Sequence, residues 1–136
     1  MKPILYTDNM IQDYTGKGYW KDVTYADLYQ QCAEKYPDKE ALVDSEKRLT
    51  WSEANLQANR IALKFVELGL KKDDIVICHL PNMVELNLVL AACNKAGLIY
   101  AGVVRTLRDK EVSFISKTTE AKGYVSLREF RRFDYC

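Results

Sequence analysis

The feature that most constrains the fold is a series of apolar segments that alternates with helical patterns in the second half of the chain. The segments DIVICHL, LIYAGVV and KGYVSL are continuously apolar or nearly so, which is typical of strands buried on both faces. Between them lie MVELNLVLAACNKAG and LRDKEVSFISKTTEA, whose apolar residues recur at helical spacing. Strands joined by crossover helices run in the same direction. The pattern therefore predicts an α/β fold, a three-layer α/β/α sandwich built on a parallel sheet.

The first half of the chain predicts two further helices and a hairpin that pack against this sandwich. The helices begin at capping-box sequences, one at Thr24 and one at Thr50. Between the two helices, ALVDSEKRLTW consists of two short apolar pieces around a polar turn and predicts a small β-hairpin. Residues 1–23 show no clear periodicity. We therefore expect an irregular N-terminal segment over 1–23 and a single structural unit over 24–136.

Charge and cysteine usage narrow the classes of partner. The chain has 20 Lys and Arg against 19 Asp and Glu, a net charge of +1, so we expect no nucleic acid and no membrane surface as partner. No apolar run approaches the ~20 residues that cross a bilayer, and the N-terminus lacks a signal-peptide pattern, which favours a cytoplasmic location.

The cysteines, Cys32, Cys78, Cys93 and Cys136, are scattered and lie at no metal-ligand spacing from His79. We predict no metal site and expect the first three thiols to be buried and free.

The turn LPNM follows the first apolar strand, at a position where α/β proteins often bind phosphate groups. A phosphate cradle needs backbone amides that can approach an anion closely, which is why such loops are rich in glycine. This turn has no glycine, Pro81 removes one amide, and neither G-x-G-x-x-G nor a P-loop motif occurs in the sequence. We therefore expect Pro81 to end the strand and Asn82 to cap the next helix.

Three other polar residues near strand ends also have plain structural interpretations. His79 has no Ser, Cys or carboxylate at a spacing typical of catalysis, so a buried structural histidine is expected. Glu85 could act as a base, but the helix dipole favours a glutamate at that position in any case. Arg108 opens a helix after a strand, which is compatible with carboxylate or phosphate recognition and with an ordinary surface salt bridge. Residue types and spacing alone indicate an α/β domain without a visible active site.

Several short motifs nevertheless follow one another in a specific order over nearly the whole chain from Gly18 onward. They are Pro37-Asp38, residues 41–44, Leu49-Thr50-Trp51, Leu68-Gly69, Asp74, Pro81-Asn82, Glu85 and Ala96-Gly97. In this order they resemble the opening of the adenylate-forming acyl and aryl acid ligases, a family that includes acyl-CoA synthetases and luciferases. The spacing of Arg108 and Glu111 and the ending Phe133-Asp134-Tyr135 are similar to stand-alone 2,3-dihydroxybenzoate–AMP ligases and to aryl or cyclic acid CoA ligases.

The resemblance implies an incomplete N-terminal subdomain of the ligase fold. Family members use ATP and magnesium to convert a carboxylate into an acyl-adenylate and pyrophosphate, and then pass the acyl group to CoA or to the phosphopantetheine of a carrier protein. Their phosphate loop, of the form T-S-G-T-T-G-x-P-K-G, is absent from this sequence, as are the later nucleotide and magnesium motifs and the lysine-bearing lid. We therefore assign no catalytic, cofactor-binding or metal residue to this chain. Asn82, Arg108 and residues 100–104 are candidates to border the pocket.

Three functions can be compared on this basis. The first is the N-terminal part of an ATP-dependent ligase for an aryl or medium-size acid, inactive alone, whose partner is the remainder of the ligase, a second chain or a second copy bound through exposed apolar surface. The alternative is a stand-alone binding or regulatory module, or a subunit of a split ligase. A flavodoxin-like or phospho-receiver domain is disfavoured, because a receiver needs acidic residues at its strand ends. Here the strands end in His79-Leu80-Pro81 and Val104-Arg105-Thr106.

Overall fold

The computed structural model describes residues 6–130 and 133–134 of the chain. Helices and strands follow one another largely in the order that the sequence predicts. In chain order they are α1 (Asp8–Gly16), α2 (Tyr25–Lys35), β1 (Glu40–Val43), β2 (Arg48–Thr50), α3 (Trp51–Glu67), β3 (Ile75–His79), α4 (Val84–Lys95), β4 (Ile99–Gly102), α5 (Asp109–Thr119), β5 (Gly123–Ser126), β6 (Glu129–Phe130) and β7 (Phe133–Asp134). β1 and β2 form the expected antiparallel hairpin, and β6 pairs with β7 in a second, smaller one.

The centre of the molecule is a parallel sheet of three strands in the order β4-β3-β5. Ile77 on β3 is in register with Ala101 on β4 and with Tyr124 on β5. The middle strand is enclosed on both faces, because both Val76 and Ile77 have at most 1% of their surface exposed although they point in opposite directions. The α/β fold with a parallel sheet, predicted from the apolar segments, is confirmed.

The strand order places helices on both faces of the sheet. The connection from β3 to β4 leads to one side of β3, and the connection from β4 to β5 leads back past β3 to the other side. Because such crossovers are right-handed, α4 and α5 must lie on opposite faces. Val89 and Cys93 of α4 accordingly pack in one core cluster with Val76 and Cys78 of β3. The three-layer arrangement follows from these two crossovers.

α2 and α3 form an outer layer over α4. Tyr29 of α2, Ala54 and Ala58 of α3, and Leu88 of α4 belong to one buried cluster, and the two alanines allow the helices to approach closely. Both helices begin where the sequence predicts, since each N-cap threonine exchanges hydrogen bonds with an acidic residue three positions later. α3 ends at a Schellman motif in which the amide of Leu70 donates to the carbonyl oxygen of Phe65, at 3.1 Å.

The N-terminal segment contains a helix, whereas an irregular segment was expected over residues 1–23. α1 begins after Thr7, whose hydroxyl accepts a hydrogen bond from the amide of Met10 at 3.3 Å. The ring of Trp20 packs edge-on against Tyr6 and Tyr14, at centroid distances of 4.9 and 5.2 Å. No residue of α1 is buried. The helix is therefore supported by its cap and by this local aromatic cluster, which hydrophobic periodicity does not reveal.

The start of α4 differs from the prediction that Asn82 caps this helix. The N-cap position is Met83, which provides no side-chain hydrogen bond. Instead the Asp44 carboxylate, at the hairpin turn after β1, accepts a hydrogen bond from the Val84 amide at 2.8 Å. Lys47 of the same turn forms an ion pair with Glu85 in the first turn of the helix. The cap is thus supplied by a residue 40 positions earlier in the chain, which local sequence patterns cannot show.

The structure confirms part of the cysteine prediction. Cys78 and Cys93 are fully buried in the core, and burial raises the pKa of the Cys93 thiol to about 12. Cys32 is only half-buried because α2 lies in the outer layer, and Cys136 lies outside the described residues. Among the helices that the structure describes, none combines the length and the apolar content needed to cross a bilayer.

The capping box of α3 should contribute measurably to stability. The Thr50 hydroxyl accepts from the Glu53 amide at 3.3 Å, and the Thr50 amide donates to the Glu53 carboxylate at 2.9 Å. We expect Thr50→Ala to lower the free energy of unfolding by about 1 kcal/mol, or Tm by about 4 °C, in urea and thermal denaturation. Thr50→Ser keeps the hydroxyl and is the control. Equal stability of the two variants would contradict a capping role.

The cap that Asp44 supplies to α4 should make stability depend on pH. Hydrogen bonds from the amides of Val84 and Glu46 hold the pKa of Asp44 below its usual value of 3.8. A lowered folded-state pKa adds stability above the unfolded-state pKa and loses it as the pH falls through the folded-state value. The stability difference between wild type and Asp44→Asn should therefore be constant near neutral pH and shrink below pH 3.8. Urea denaturation of both proteins at several pH values measures this difference in the free energy of unfolding.

The exposed Asp38 provides a matched carboxylate for that experiment. It lies in the same half of the chain, before β1, and takes part in no recorded side-chain hydrogen bond among the described residues. Asp38→Asn removes no cap and should leave the free energy of unfolding at neutral pH unchanged. If wild type and Asp44→Asn differ in free energy of unfolding by the same amount at every pH, the carboxylate does not cap α4 as a charged group.

Candidate functional site

The carboxyl ends of β3 and β4 open into a cleft of about 580 Å³. This is the edge of a parallel sheet at which α/β proteins bind their ligands. The residues that line it come from the two strand ends, the following turns and the first part of α4. They are Leu80, Pro81, Asn82, Leu86, Tyr100, Gly102, Val103, Val104, Arg105 and Thr106. The structure thus brings Asn82 together with four residues of the segment 100–104, all but Ala101.

Arg105 and Thr106 belong to this cleft but were not among the predicted border residues. Both follow β4 directly, so their position at a carboxyl strand end is the signal that sequence reasoning could have used. Arg105 is the one charged residue in the lining of the cleft. The lining contains no carboxylate, and no cluster of three metal-ligating side chains occurs in the described parts of the chain. The cleft therefore does not fit a magnesium ion.

Arg108, the other predicted candidate, does not line the cleft. Its guanidinium donates to the backbone oxygens of Arg105 and Leu107, at 2.9 and 3.0 Å. Its amide donates to the Glu111 carboxylate at 3.0 Å, which explains the spacing of these two residues. In this structure Arg108 holds the loop between β4 and α5, and so it positions Arg105 rather than forming a wall of the cleft.

The inner wall of the cleft is formed by Tyr100, whose ring lies across Gly102. A Cβ atom at position 102 would come within 2.9 Å of the Tyr100 ring, so glycine is required for this close approach. Burial raises the pKa of the Tyr100 hydroxyl, and its hydrogen bond with the Cys78 thiol acts in the same direction. Burial likewise raises the pKa of Cys78. This wall is therefore neutral at physiological pH, and the positive charge of the cleft comes from Arg105.

His79 and Glu85 lie outside the cleft lining. His79 is 3% exposed, and its Nδ1 atom is 2.8 Å from the hydroxyl of Tyr124 on β5. Glu85 is paired with Lys47 of the hairpin turn. These contacts give both residues a structural role within the described chain, in agreement with the plain interpretations that their sequence positions suggest.

Comparison with known proteins identifies the family. The model of the AMP-binding enzyme family matches residues 29–133. The chain is 28% identical over 130 residues to the 2,3-dihydroxybenzoate-AMP ligase of Bacillus subtilis. This alignment covers 96% of the chain and 24% of that ligase. It is 28% identical over 120 residues to the medium-chain fatty-acid–CoA ligase of Escherichia coli, covering 88% of the chain and 21% of that ligase.

A solved structure supports the same relationship. The apo structure of Mycobacterium smegmatis MbtA superposes with a TM-score of 0.82 and 26% identity, over 88% of this chain and 23% of that protein. The chain spans about a quarter of the length of each of these relatives. With a family model that matches most of the sequence and a fold shared with these enzymes, the chain belongs to the AMP-binding enzyme family and corresponds to the N-terminal region of its adenylate-forming ligases.

Proposed function

We propose that this chain is the N-terminal scaffold of an ATP-dependent acid ligase. The observation that carries the proposal is the match of 96% of the chain to 24% of the length of a 2,3-dihydroxybenzoate-AMP ligase. In the proposed reaction a carboxylate oxygen attacks the α-phosphorus of ATP and pyrophosphate leaves, which gives an acyl-adenylate. The thiolate of CoA or of a carrier-protein phosphopantetheine then attacks the acyl carbon, and AMP leaves with the electron pair of the broken C–O bond.

In the proposed enzyme, this chain contributes a scaffold and not the groups that hold ATP and magnesium. The cleft offers Arg105 as its one charged group and no carboxylate for magnesium, so the groups that hold ATP and magnesium are assigned to the remainder of the ligase. The apolar part of the cleft, including Leu86 and the 64% exposed Val104, suits a surface that another layer of the enzyme covers. Asn82 and Arg105 would then border the joint between the two parts.

The names of two relatives support the proposed substrate class. One of them is named for an aryl acid, 2,3-dihydroxybenzoate, and another for medium-chain fatty acids. We infer an aryl or medium-size carboxylic acid, with CoA or a carrier protein as acceptor. A second arrangement, in which the chain is a free-standing module or one subunit of a split ligase, is favoured by its own buried core around Ile77 and Leu88. In that case a second chain supplies the remaining part.

The proposal is tested by expressing the complete reading frame of the gene, together with any adjacent frame that encodes the missing ligase motifs. The product should catalyse ATP–pyrophosphate exchange that depends on an added aryl or medium-chain acid. The 136-residue chain should show none, because the proposal assigns the groups that stabilise the charge developing on the α-phosphate to the remainder of the ligase. Absence of acid-dependent exchange by the complete product would contradict the ligase assignment.

The chain alone should also fail to bind the nucleotide. Calorimetric titration of the 136-residue chain with ATP and magnesium should give only the heat of dilution. The Bacillus subtilis relative, titrated under the same conditions, is the positive control. Saturable heat with a micromolar dissociation constant for the chain alone would show that a nucleotide site exists on this part of the enzyme.

Exposed apolar residues on α3 predict self-association of the isolated chain. Leu56, Leu63 and Val66 share one face of α3 and are 51, 63 and 56% exposed. We propose that this face mediates a homodimer when the remainder of the ligase is absent. Leu63→Glu should raise the dimer dissociation constant about tenfold or more, because a charge would be buried in an apolar contact. Gln31→Glu adds the same charge on α2 as a control, and sedimentation velocity measures both. Equal effects of both variants would contradict this interface.

A further inference from the structure

A second hollow lies on the face of the sheet opposite α4, away from the cleft at the strand ends. It has a volume of about 270 Å³, is open to solvent and lies between one face of α5 and the side chain of Tyr124 on β5. Its lining residues are Val112, Ser113, Ser116, Lys117 and Tyr124. None of these residues lines the cleft, so the hollow and the cleft are separate.

The polar groups of the hollow converge from one helix face. Ser113, Ser116 and Lys117 are spaced three and four residues apart, which places them side by side on α5. Among the described residues, the structure records no hydrogen bond to either serine hydroxyl and no ion pair to the Lys117 ammonium group. Three groups that can donate hydrogen bonds therefore face one small space without being used by the fold.

The fourth polar group, the hydroxyl of Tyr124, has a hydrogen-bond partner in His79. The Nδ1 atom of His79 is 2.8 Å from this oxygen, and His79 is almost fully buried. When the Nδ1 atom carries the proton and donates it to Tyr124, the phenolic O–H remains free to donate to a ligand. The pair can thus present a hydrogen-bond donor at a defined position on the wall of the hollow.

We propose that this hollow binds a small oxyanion, a carboxylate or phosphate group, with Lys117 as the cation and the hydroxyls of Ser113, Ser116 and Tyr124 as donors. The lining contains one positive charge, three hydroxyls and no acidic residue, a set that complements a negatively charged oxygen group. Val112 provides an apolar wall for the part of the ligand that carries the anion. A cation is disfavoured because Lys117 would repel it.

The single histidine of the chain makes the site directly observable. The imidazole signals in an NMR spectrum report only on His79, which contacts the ligand-facing hydroxyl of Tyr124. Titrations with inorganic phosphate, acetate and benzoate, each at constant pH and ionic strength, show whether the hollow binds a phosphate or a carboxylate. We expect saturable shifts of the His79 ring and of the α5 amides with at least one of them. Shifts no larger than those with chloride would overturn the proposal.

Two variants locate the binding. Lys117→Met should weaken the affinity for the anion about fivefold, as expected for an exposed charge, and Tyr124→Phe should weaken it by removing one donor. Lys110→Met removes a cation from the same helix at a position outside the lining and is the matched control. Equal weakening by Lys110→Met and Lys117→Met would show diffuse attraction to the helix and would also overturn the site. Neither outcome bears on the ligase assignment, which the exchange assay tests separately.

Discussion

The structure depends on the burial of β3 from both faces. A strand in that position has no water to satisfy its backbone groups, so both of its edges must pair with neighbouring strands. β4 and β5 provide that pairing, and the crossovers that connect them require α4 on one face and α5 on the other. The apolar side chains of the middle strand thereby determine the layer order, the position of the cleft and the position of the second hollow.

The two faces of the sheet are covered unequally. α4 is itself covered by α2 and α3, and its inward side chains are among the most buried in the molecule. α5 contributes no buried residue, and Phe114 on it is 70% exposed. A chain with this distribution has one well-packed half and one half that still presents apolar surface and unused polar groups. Under the proposed function, the exposed apolar surface of the second half is the part that the rest of a larger enzyme would cover.

Two side chains outside the cleft lining fix the backbone on either side of it. The Asp44 carboxylate sets the first residue of α4, so the hairpin of β1 and β2 helps to define where the cleft wall begins. Arg108 uses its guanidinium to bind the loop that carries Arg105. In both cases a charged side chain binds backbone groups, an amide at the start of α4 for Asp44 and loop oxygens before α5 for Arg108. The result is a cleft whose shape is determined by residues that lie mostly outside it.

The sequence by itself determined the order of strands and helices from β1 to β5, the parallel sheet, both capping boxes and the family. These features rest on local patterns of apolar residues and caps, or on motif order, which are readable without coordinates. Only the tertiary structure decided that Asp44 rather than Asn82 caps α4, that Arg108 binds loop oxygens outside the cleft lining, and that His79 contacts Tyr124. It also revealed α1, which no periodicity indicates. The contacts of Arg108 are local, but they depend on a loop conformation that residue types do not specify. The other outcomes depend on residues far apart in the chain or on aromatic contacts, and local sequence patterns carry no information about which distant groups the fold brings within hydrogen-bonding distance.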